Sequence, residues 1–293
     1  MNRQLQFSIL LILSTAAWGS TFPLVKFSLE YMSPVVFLAV RFAVSSAVMF
    51  PFLKRPLNLS NIREGFIAGT FLFVGYYFQT VGLKYTSPAI SGLITGFYVV
   101  LVPILSFMIF KKGIGRKDWA AASLSLVGLL IIASGQLSNA TLQLGDVLTL
   151  ICAFGYAMQI IYVAKHNQVD MIKFTFYQML TVCVLSTVFI PTYPIYADFS
   201  SPVVIIGIFF TAIVAGVLAY LIMNASLVYV SPERASIIMV TEPVFAAGFS
   251  VAFTGTILSY FTIAGGAIMV LAMVWEVYSK GEEKSRELAE LPV

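Results

Sequence analysis

Charged residues are scarce in this sequence of 293 residues: Asp, Glu, Lys and Arg make up 10% of the chain, against 59% apolar residues. A soluble domain carries roughly 25% charged residues, because it must cover its surface with groups that water solvates. So few charges could not cover a globule of this length. Together with a mean hydropathy of +0.94, the composition excludes an ordinary soluble protein and indicates hydrocarbon as the main solvent.

Cysteine and histidine are almost missing as well. Cys152 and Cys183 each lie inside an apolar run without a Cys-x-x-Cys pattern, and the single histidine, His166, lies between two runs. This supply argues against a disulfide framework or a metal site, so we expect neither a metal nor a cofactor. The net charge of +4 is spread over short clusters rather than gathered on one face, which argues against a nucleic-acid partner.

What the chain has instead is a series of long apolar runs. A helix needs about 20 apolar residues to cross a hydrocarbon core of ~30 Å, and unpaired backbone groups in lipid cost several kcal/mol each. The runs predict an all-α integral membrane protein whose ten transmembrane helices cover 7–28, 34–53, 63–84, 88–110, 117–136, 144–164, 171–196, 202–228, 232–254 and 257–279. The first run has no Ala-x-Ala cleavage site, so we interpret it as a retained helix rather than a secretory signal.

The basic residues predict how these spans are oriented. With a cytoplasmic N-terminus, 14 of the 17 Lys and Arg fall on cytoplasmic segments, while Lys26 and Lys84 fall on outer segments and Arg41 lies within a span. This asymmetry predicts cytoplasmic termini in a multi-pass protein of the cell membrane, surrounded by lipids. We expect Arg41 to snorkel to the outer surface or pair with Glu30, and 281–293 to form a disordered cytoplasmic tail.

The two halves of the chain resemble each other at a constant offset of 144 residues. The stretch 83–88 (LKYTSP) recurs as 227–232 (LVYVSP), and Tyr76 pairs with Tyr220 at the same offset. Because each half holds an odd number of spans, the second half enters the bilayer from the opposite side. Inverted repeats of this kind recur in transporters, where they enclose one site near the bilayer midplane.

In their order and spacing, these motifs resemble the EamA-type ten-helix members of the drug/metabolite transporter superfamily. The resemblance is carried by 17–22 (AWGSTF) with Lys26, Arg41-Phe42, 82–89 (GLKYTSPA) leading into 100–103 (VLVP), and 225–232 (ASLVYVSP) leading into 242–244 (EPV). It implies two five-helix repeats, 1–138 and 139–280, around a central cavity. It also implies alternating access, usually with export of amino acids, related metabolites or drugs.

Glu242 is the candidate site residue with the strongest physical argument. It lies near the middle of the span 232–254, where a charge costs at least ~2.5–3.5 kcal/mol, so intramembrane acids usually face a cavity or a partner. We interpret it as a cavity-facing carboxyl that contacts substrate, with protons as a candidate coupling ion. The alternative is a protonated carboxyl that is hydrogen-bonded inside the bundle. At an offset of 144 its partner is Tyr98, and both are expected to approach one cavity from opposite sides.

Polar and aromatic residues well inside the predicted spans complete the candidate substrate site. Small-molecule sites combine apolar and aromatic walls with a few polar anchors. The further candidates are Trp18, Tyr77, Gln79, Thr95, Tyr156, Gln159, Tyr220 and Asn224. The alternative for each is a hydrogen bond to a neighbouring helix without contact to substrate.

These features predict a secondary transporter that exports a small metabolite such as an amino acid, or a related uncharged, zwitterionic or aromatic solute. A multidrug or organic-cation exporter is the first alternative. An intramembrane enzyme is the alternative from another class, but the Asp residues fall in loops or at span ends, and no paired Asp or Ser–His arrangement occurs within the spans. We therefore expect no catalytic residues, and a monomer or homodimer.

Overall fold

The computed structural model of the chain describes residues 3–53, 59–111, 114–136, 143–166, 170–254 and 257–289. In this part the chain is helical, with a single isolated bridge between Met32 and Ala197. The first half contains α1 (Arg3–Tyr31), α2 (Pro34–Met49), α3 (Leu59–Tyr85), α4 (Pro88–Thr95), α5 (Tyr98–Phe110) and α6 (Arg116–Gln136). The second half contains α7 (Leu144–Lys165), α8 (Met171–Val188), α9 (Pro202–Ala212), a π-helix (Ile213–Leu218), α10 (Ala219–Ser226), α11 (Pro232–Met239), α12 (Glu242–Thr254) and α13 (Tyr260–Ala289).

These helices make ten membrane crossings, as predicted. In the described residues, 9 continuous apolar segments are long enough to cross a membrane, and the π-helix joins α9 and α10 into one of them. The tenth crossing is made by α11 and α12 together, which the break after Met239 divides into two shorter helices. The chain is therefore a ten-helix membrane protein with two inverted five-helix repeats.

Two of the crossings are broken at equivalent positions of the repeats. When the bounds of α4 and α5 are shifted by 144 positions, they coincide with the bounds of α11 and α12. The two breaks therefore begin and end at equivalent positions. The hydrogen bonds match as well: the Phe97 amide donates to the Ile94 carbonyl at 3.1 Å, and the Thr241 amide donates to the Ile238 carbonyl at 3.3 Å. A tight turn of the same type thus interrupts both spans.

The starts of these broken crossings are also built alike. Ser87 and Ser231 cap α4 and α11, accepting hydrogen bonds from the amides of Ile90 at 3.2 Å and Arg234 at 3.4 Å. A proline follows each cap at the first helical position, where its missing N–H costs nothing and its fixed φ suits a helix. The recurrent Ser-Pro of the sequence is therefore a helix-start signal used twice.

The two repeats pack against each other through pairs of helices, one from each half of the chain. α3 lies along α7, and α1 lies along α9 and α10, while α2 packs on α8 and α6 packs on α13. At the crossing of α3 and α7 a Cβ added to Gly155 would lie 2.7 Å from the Gly75 nitrogen. Such close backbone approach is how small residues drive helix association in a membrane.

Two lysines join α1 to α3 at the face opposite the termini. The Lys26 ammonium donates to the carbonyls of Leu83 at 2.5 Å and Thr86 at 3.0 Å, and the Lys84 ammonium donates to the Leu29 carbonyl at 2.9 Å. The last carbonyls of a helix lack partners within the helix and carry partial negative charge. Each lysine therefore caps the C-terminal end of the other's helix.

Three predicted segment boundaries differ from the structure or fall outside the described residues. The seventh span, predicted as 171–196, ends as an α-helix at Val188, and a short 3₁₀ turn over Ile190–Thr192 follows. Pro191 lies in this turn and has no N–H to continue the helix. The predicted boundary between the repeats at 138/139 lies outside the described residues. At the other end α13 continues to Ala289, so its backbone runs into the segment that we expected to be disordered.

Candidate functional site

A cavity of about 50 Å³ lies between the two repeats. Helices from both repeats form its walls, and Trp18, Thr21, Tyr76, Gln79, Tyr98, Tyr156, Gln159, Ile160, Tyr220, Met223, Met239 and Glu242 line it. Seven of the ten candidate residues from the sequence are among them: Trp18, Gln79, Tyr98, Tyr156, Gln159, Tyr220 and Glu242. Among the described residues, no group of three His, Cys, Asp or Glu side chains is arranged to hold a metal ion.

The lining follows the pseudo-twofold symmetry of the repeats. At the offset of 144, Tyr76 pairs with Tyr220, Gln79 pairs with Met223, and Tyr98 pairs with Glu242; all three pairs line the cavity. The cavity therefore lies on the axis that relates the repeats, where inverted-repeat transporters place their substrate sites. The paired residues differ in chemistry, so the site is symmetric in position and asymmetric in charge.

Three candidate residues lie elsewhere. The Tyr77 hydroxyl is 3.1 Å from the Thr192 hydroxyl, and the ring packs against Phe189 on the other side of α3. Asn224 is buried and donates to Thr175 and Gln178 at 2.9 Å each. Neither residue is among those that line the central cavity. Sequence alone could not tell which face of a uniformly apolar helix is turned towards it.

The residue of α3 that faces the cavity is Tyr76, which the candidate set missed. Adjacent helical residues point about 100° apart, because a turn holds 3.6 residues. The pairing of Tyr76 with Tyr220 was the sequence signal that could have identified it. Thr21, Ile160, Met223 and Met239 were missed too; of these, Met223 and Met239 could have been found as the repeat partners of Gln79 and Thr95.

Thr95 does not line the cavity but holds one of its polar groups. The Gln79 side-chain amide donates to the Thr95 hydroxyl at 3.1 Å, and its carbonyl oxygen accepts from the Tyr156 hydroxyl at 2.9 Å. With both ends engaged, Gln79 is held in one orientation. Thr95 is the last residue of α4, so the first broken span contributes directly to the position of this amide.

Carbonyl groups of the π-helix and of the residue before it accept hydrogen bonds from side chains of α1 and α2. The Trp18 indole donates to the Ala215 carbonyl at 2.8 Å, and the Ser45 hydroxyl donates to the Ala212 carbonyl at 3.0 Å. A π-helical turn inside an α-helix is often found at functional sites, and irregular backbone at membrane depth needs such partners. The Trp18 ring is thereby held 5.2 Å from the ring of Tyr220.

Arg41 is buried beside the cavity, with only 2% of its surface exposed. It donates to the Thr211 carbonyl at 3.1 Å and to the Tyr76 hydroxyl at 3.2 Å, and its guanidinium lies 4.6 Å from the centre of the Tyr76 ring. The expectation that it snorkels outward or pairs with Glu30 is therefore wrong. Instead, the guanidinium is held inside the bundle by two neutral oxygen partners and an aromatic face.

Glu242 is the first residue of α12 and lies directly after the break. It lines the cavity together with Tyr98, the first residue of α5. α1 packs closely on this point, because a Cβ on Gly19 would lie 2.8 Å from the Glu242 carbonyl oxygen. The acid therefore sits at the N-terminal end of a half-helix, where the backbone dipole favours a negative charge.

A larger cavity, of about 490 Å³, lies at the face opposite the termini. It extends from Ser87 and Ser259, near the starts of α4 and α13, down to Pro243, the residue that follows Glu242. Its other walls come from α1, α6 and α12, and its lining includes Ile132 of α6 and Thr262 of α13. The deep end of this cavity is thus one residue along the chain from the central site.

The face of the termini is closed at the matching place by buried charges. Arg234 and Glu276 are each 1% exposed and Asp118 is 8% exposed, and Arg234 interacts electrostatically with both acids. Arg234 also donates to the Val277 carbonyl at 2.5 Å. We call these three residues, which join α6, α11 and α13, the ionic cluster.

The ionic cluster has an uncharged counterpart on the opposite face. At the offset of 144, Glu276 corresponds to Ile132 and Asp118 corresponds to Thr262, both of which line the larger cavity. Arg234 corresponds to Ile90. Equivalent positions of the two repeats therefore hold the ionic cluster at the face of the termini and the larger cavity at the opposite face.

Comparison with known proteins agrees with this architecture. The model of the EamA-like transporter family matches residues 6–134 and 143–277, one match for each repeat. An uncharacterized transporter of Archaeoglobus fulgidus is 33% identical over 265 residues, which cover 90% of this chain and 83% of the relative. A Salmonella typhimurium protein named probable amino-acid metabolite efflux pump is 26% identical over 159 residues, 54% of this chain and 52% of the relative.

A solved crystal structure has the same fold. It aligns with a TM-score of 0.77 at 16% sequence identity, covering 94% of this chain and 98% of the other. The fold, the paired family match and the relative from Archaeoglobus lead to one conclusion. The chain belongs to the EamA-like transporter family, within the drug/metabolite transporter superfamily.

Proposed function

We propose that this protein is a secondary transporter that exports an amino acid, or a related zwitterionic or aromatic metabolite, by alternating access. The observation that carries the proposal is the pairing of Tyr98 and Glu242 at the breaks of two inverted spans, facing one cavity. Half-helix ends at a central cavity are the usual substrate-binding arrangement of inverted-repeat transporters.

The unequal faces of the molecule support alternating access. The larger cavity gives the face opposite the termini a path towards Glu242, and the ionic cluster closes the face of the termini. Inverted repeats can exchange their conformations, so a state open to one face implies a counterpart open to the other. With cytoplasmic termini, as the basic residues indicate, the state described here is open to the outside.

The volume of the central cavity indicates that it widens to bind solute. About 50 Å³ holds only a few water molecules, since one water needs roughly 10–15 Å³. An amino acid requires more, so the broken spans must move apart to admit it. The turns after Thr95 and Met239 are the natural places for that movement, because the backbone there is already interrupted.

The chemistry of the lining favours a solute with an aromatic or apolar part and a cationic group. Trp18, Tyr98 and Tyr220 provide aromatic surface, and Glu242 is the carboxyl group of this lining. A ligand ammonium is attracted both to a carboxylate and to aromatic faces. The name of the Salmonella relative, an amino-acid metabolite efflux pump, points to the same class of solute.

An organic-cation exporter remains the second candidate, because aromatic rings beside an acid also suit a drug-like cation. Family membership favours transport over the intramembrane enzyme that the sequence left as an alternative. Protons are the proposed coupling ion, since Glu242 offers a site that can bind either a proton or the solute's ammonium group.

Flux in liposomes tests the proposal. Purified protein is reconstituted, vesicles are loaded with labelled amino acids or with organic cations, and efflux is followed with and without a pH gradient. We expect saturable efflux of at least one amino acid. Efflux should be faster when the solution outside the vesicles is acidic. Efflux of organic cations alone would select the second candidate, and a chemical product from lipid or peptide without flux would select the enzyme.

A further inference from the structure

We propose that Arg41, together with the hydroxyls of Tyr76 and Tyr220, forms an anion subsite that receives a carboxylate group of the transported solute. The inference rests on the proposed transport function and adds the chemical class of the cargo. It places a carboxylate at one end of the central cavity and leaves Glu242 for a cationic group at the other.

The first argument is the charge that Arg41 keeps buried. In the described part of the chain its polar partners are neutral, namely the Thr211 carbonyl and the Tyr76 hydroxyl, and the ion pairs there involve other residues. Burying an ion without an opposite charge is costly. An anionic ligand that arrives through the cavity would supply the missing charge.

The second argument is that a neutral residue already does the structural part of this work. Arg41 and Ser45 are one helical turn apart on α2, and they bind the neighbouring carbonyls of Thr211 and Ala212 at 3.1 and 3.0 Å. The Ser45 hydroxyl ties α2 to the start of the π-helix without any charge. The positive charge of Arg41 is therefore not needed to attach α2 to its neighbour.

The third argument is the route from Arg41 to the cavity. Arg41 donates to the oxygen of the Tyr76 hydroxyl at 3.2 Å, which leaves the phenolic proton available for another acceptor. The ring centres of Tyr76 and Tyr220 lie 6.1 Å apart, and both side chains line the cavity. Because hydrogen bonds in a chain polarise one another, the positive charge of Arg41 makes the Tyr76 hydroxyl a stronger donor to an anion.

The position of Glu242 completes a two-ended site. Both Tyr76 and Tyr220 interact electrostatically with Arg41 and with Glu242, so the tyrosine pair is near both the positive and the negative group. A zwitterion matches this dipole when its ammonium approaches Glu242 and its carboxylate approaches the tyrosines. A simple cation would leave Arg41 without an opposite charge, which selects against it.

Matched solutes test the subsite. Phenylalanine, phenylalanine amide and 3-phenylpropionate share one ring and differ only in the two charged groups. In liposomes with wild-type protein, we expect phenylalanine to have a KM at least tenfold lower than the amide. In the Arg41→Met variant, we expect the KM for phenylalanine to rise at least tenfold and the KM for the amide to change less than twofold.

Two further variants separate the subsite from folding. Ser45→Ala removes the neighbouring bond to the π-helix and should leave the preference for the carboxylate intact. Tyr76→Phe keeps the ring and the Arg41 charge but removes the connecting hydroxyl, and should reduce the preference several-fold. Two results would overturn the subsite. One is an equal KM for phenylalanine and its amide in wild-type protein, and the other is an equal rise in both KM values in Arg41→Met.

Ligand-induced thermal stabilisation in detergent provides a readout that does not depend on flux. Stabilisation by phenylalanine but not by its amide, lost in Arg41→Met, would support the carboxylate subsite even if no solute moved. Failure of flux with retained binding would then count against the proposed transport function alone. Stabilisation by the amide as strong as that by phenylalanine would count against the subsite alone.

Discussion

Tyr98 and Glu242 are the first residues of α5 and α12, and they face one cavity from equivalent positions of the two repeats. The backbone at both places is interrupted by a tight turn of the same type. Duplication therefore produced a symmetric scaffold, and divergence put an acid on one side and a phenol on the other. This asymmetry gives the cavity an electrostatic direction, which a strictly symmetric site could not have.

Replacing Glu242 by Gln should abolish proton-coupled transport while retaining the fold. The change keeps the size of the side chain and removes its charge, and a hydrogen bond to a charged group is worth about 1.5–3 kcal/mol. We expect kcat/KM for an amino acid to fall about tenfold to hundredfold, with the acceleration by a pH gradient lost. Glu30→Gln is the matched control at an exposed acid. Unchanged, pH-dependent flux in Glu242→Gln would remove this carboxyl from the mechanism.

Tyr76 and Tyr77 offer a comparison of neighbouring residues that point to different sides of α3. Tyr76→Phe removes a hydroxyl that Arg41 contacts at the cavity, whereas Tyr77→Phe removes one that meets Thr192 away from it. We expect amino-acid flux to fall about tenfold in the first variant, since a hydrogen bond to a charged partner is lost. The second variant should transport like the parent. The reverse ranking would mean that α3 is rotated relative to the arrangement described here.

The ionic cluster should hold the face of the termini closed. In a Cys152→Ala, Cys183→Ala background, a reporter Thr262→Cys in the larger cavity should react readily with a membrane-impermeant maleimide. Adding Arg234→Met removes the cation that Glu276 and Asp118 share, which should favour the state open to the termini and slow labelling several-fold. Arg116→Met, at an exposed arginine on the same face, serves as the control. Faster labelling after Arg234→Met would show that the cluster does not close this face.

Two glycines provide a matched test of helix packing. A Cβ on Gly155 would lie 2.7 Å from the Gly75 nitrogen, whereas a Cβ on Gly248 would meet nothing within 4 Å. We expect Gly155→Ala to lower the free energy of unfolding by about 1–3 kcal/mol through overpacking. Gly248→Ala should be neutral or stabilising by up to about 1 kcal/mol, because alanine favours a helix. Thermal unfolding in detergent measures both, and equal stabilities would contradict the close crossing of α3 and α7.

The sequence by itself determined the solvent, the number of crossings and the repeat. Hydrocarbon imposes long apolar runs, and the offset of 144 carries through to both ends of the broken spans. The breaks themselves left no mark in hydropathy, because the turns at 96–97 and 240–241 interrupt hydrogen bonding within runs that stay apolar. The starts of these spans, in contrast, could be recognised from the sequence by Ser87-Pro88 and Ser231-Pro232.

Only the tertiary structure decided which side of each helix meets the cavity. In a soluble protein an apolar stripe would reveal the inward face, but a membrane helix is apolar all round, so Tyr76 and Tyr77 look alike in local hydropathy and only the repeat partner of Tyr76, Tyr220, distinguishes them. The same holds for Arg41, which is buried against a carbonyl near the end of the distant α9 and a tyrosine of α3. Partners that are far apart in the chain decide such placements, and the local sequence carries no trace of them.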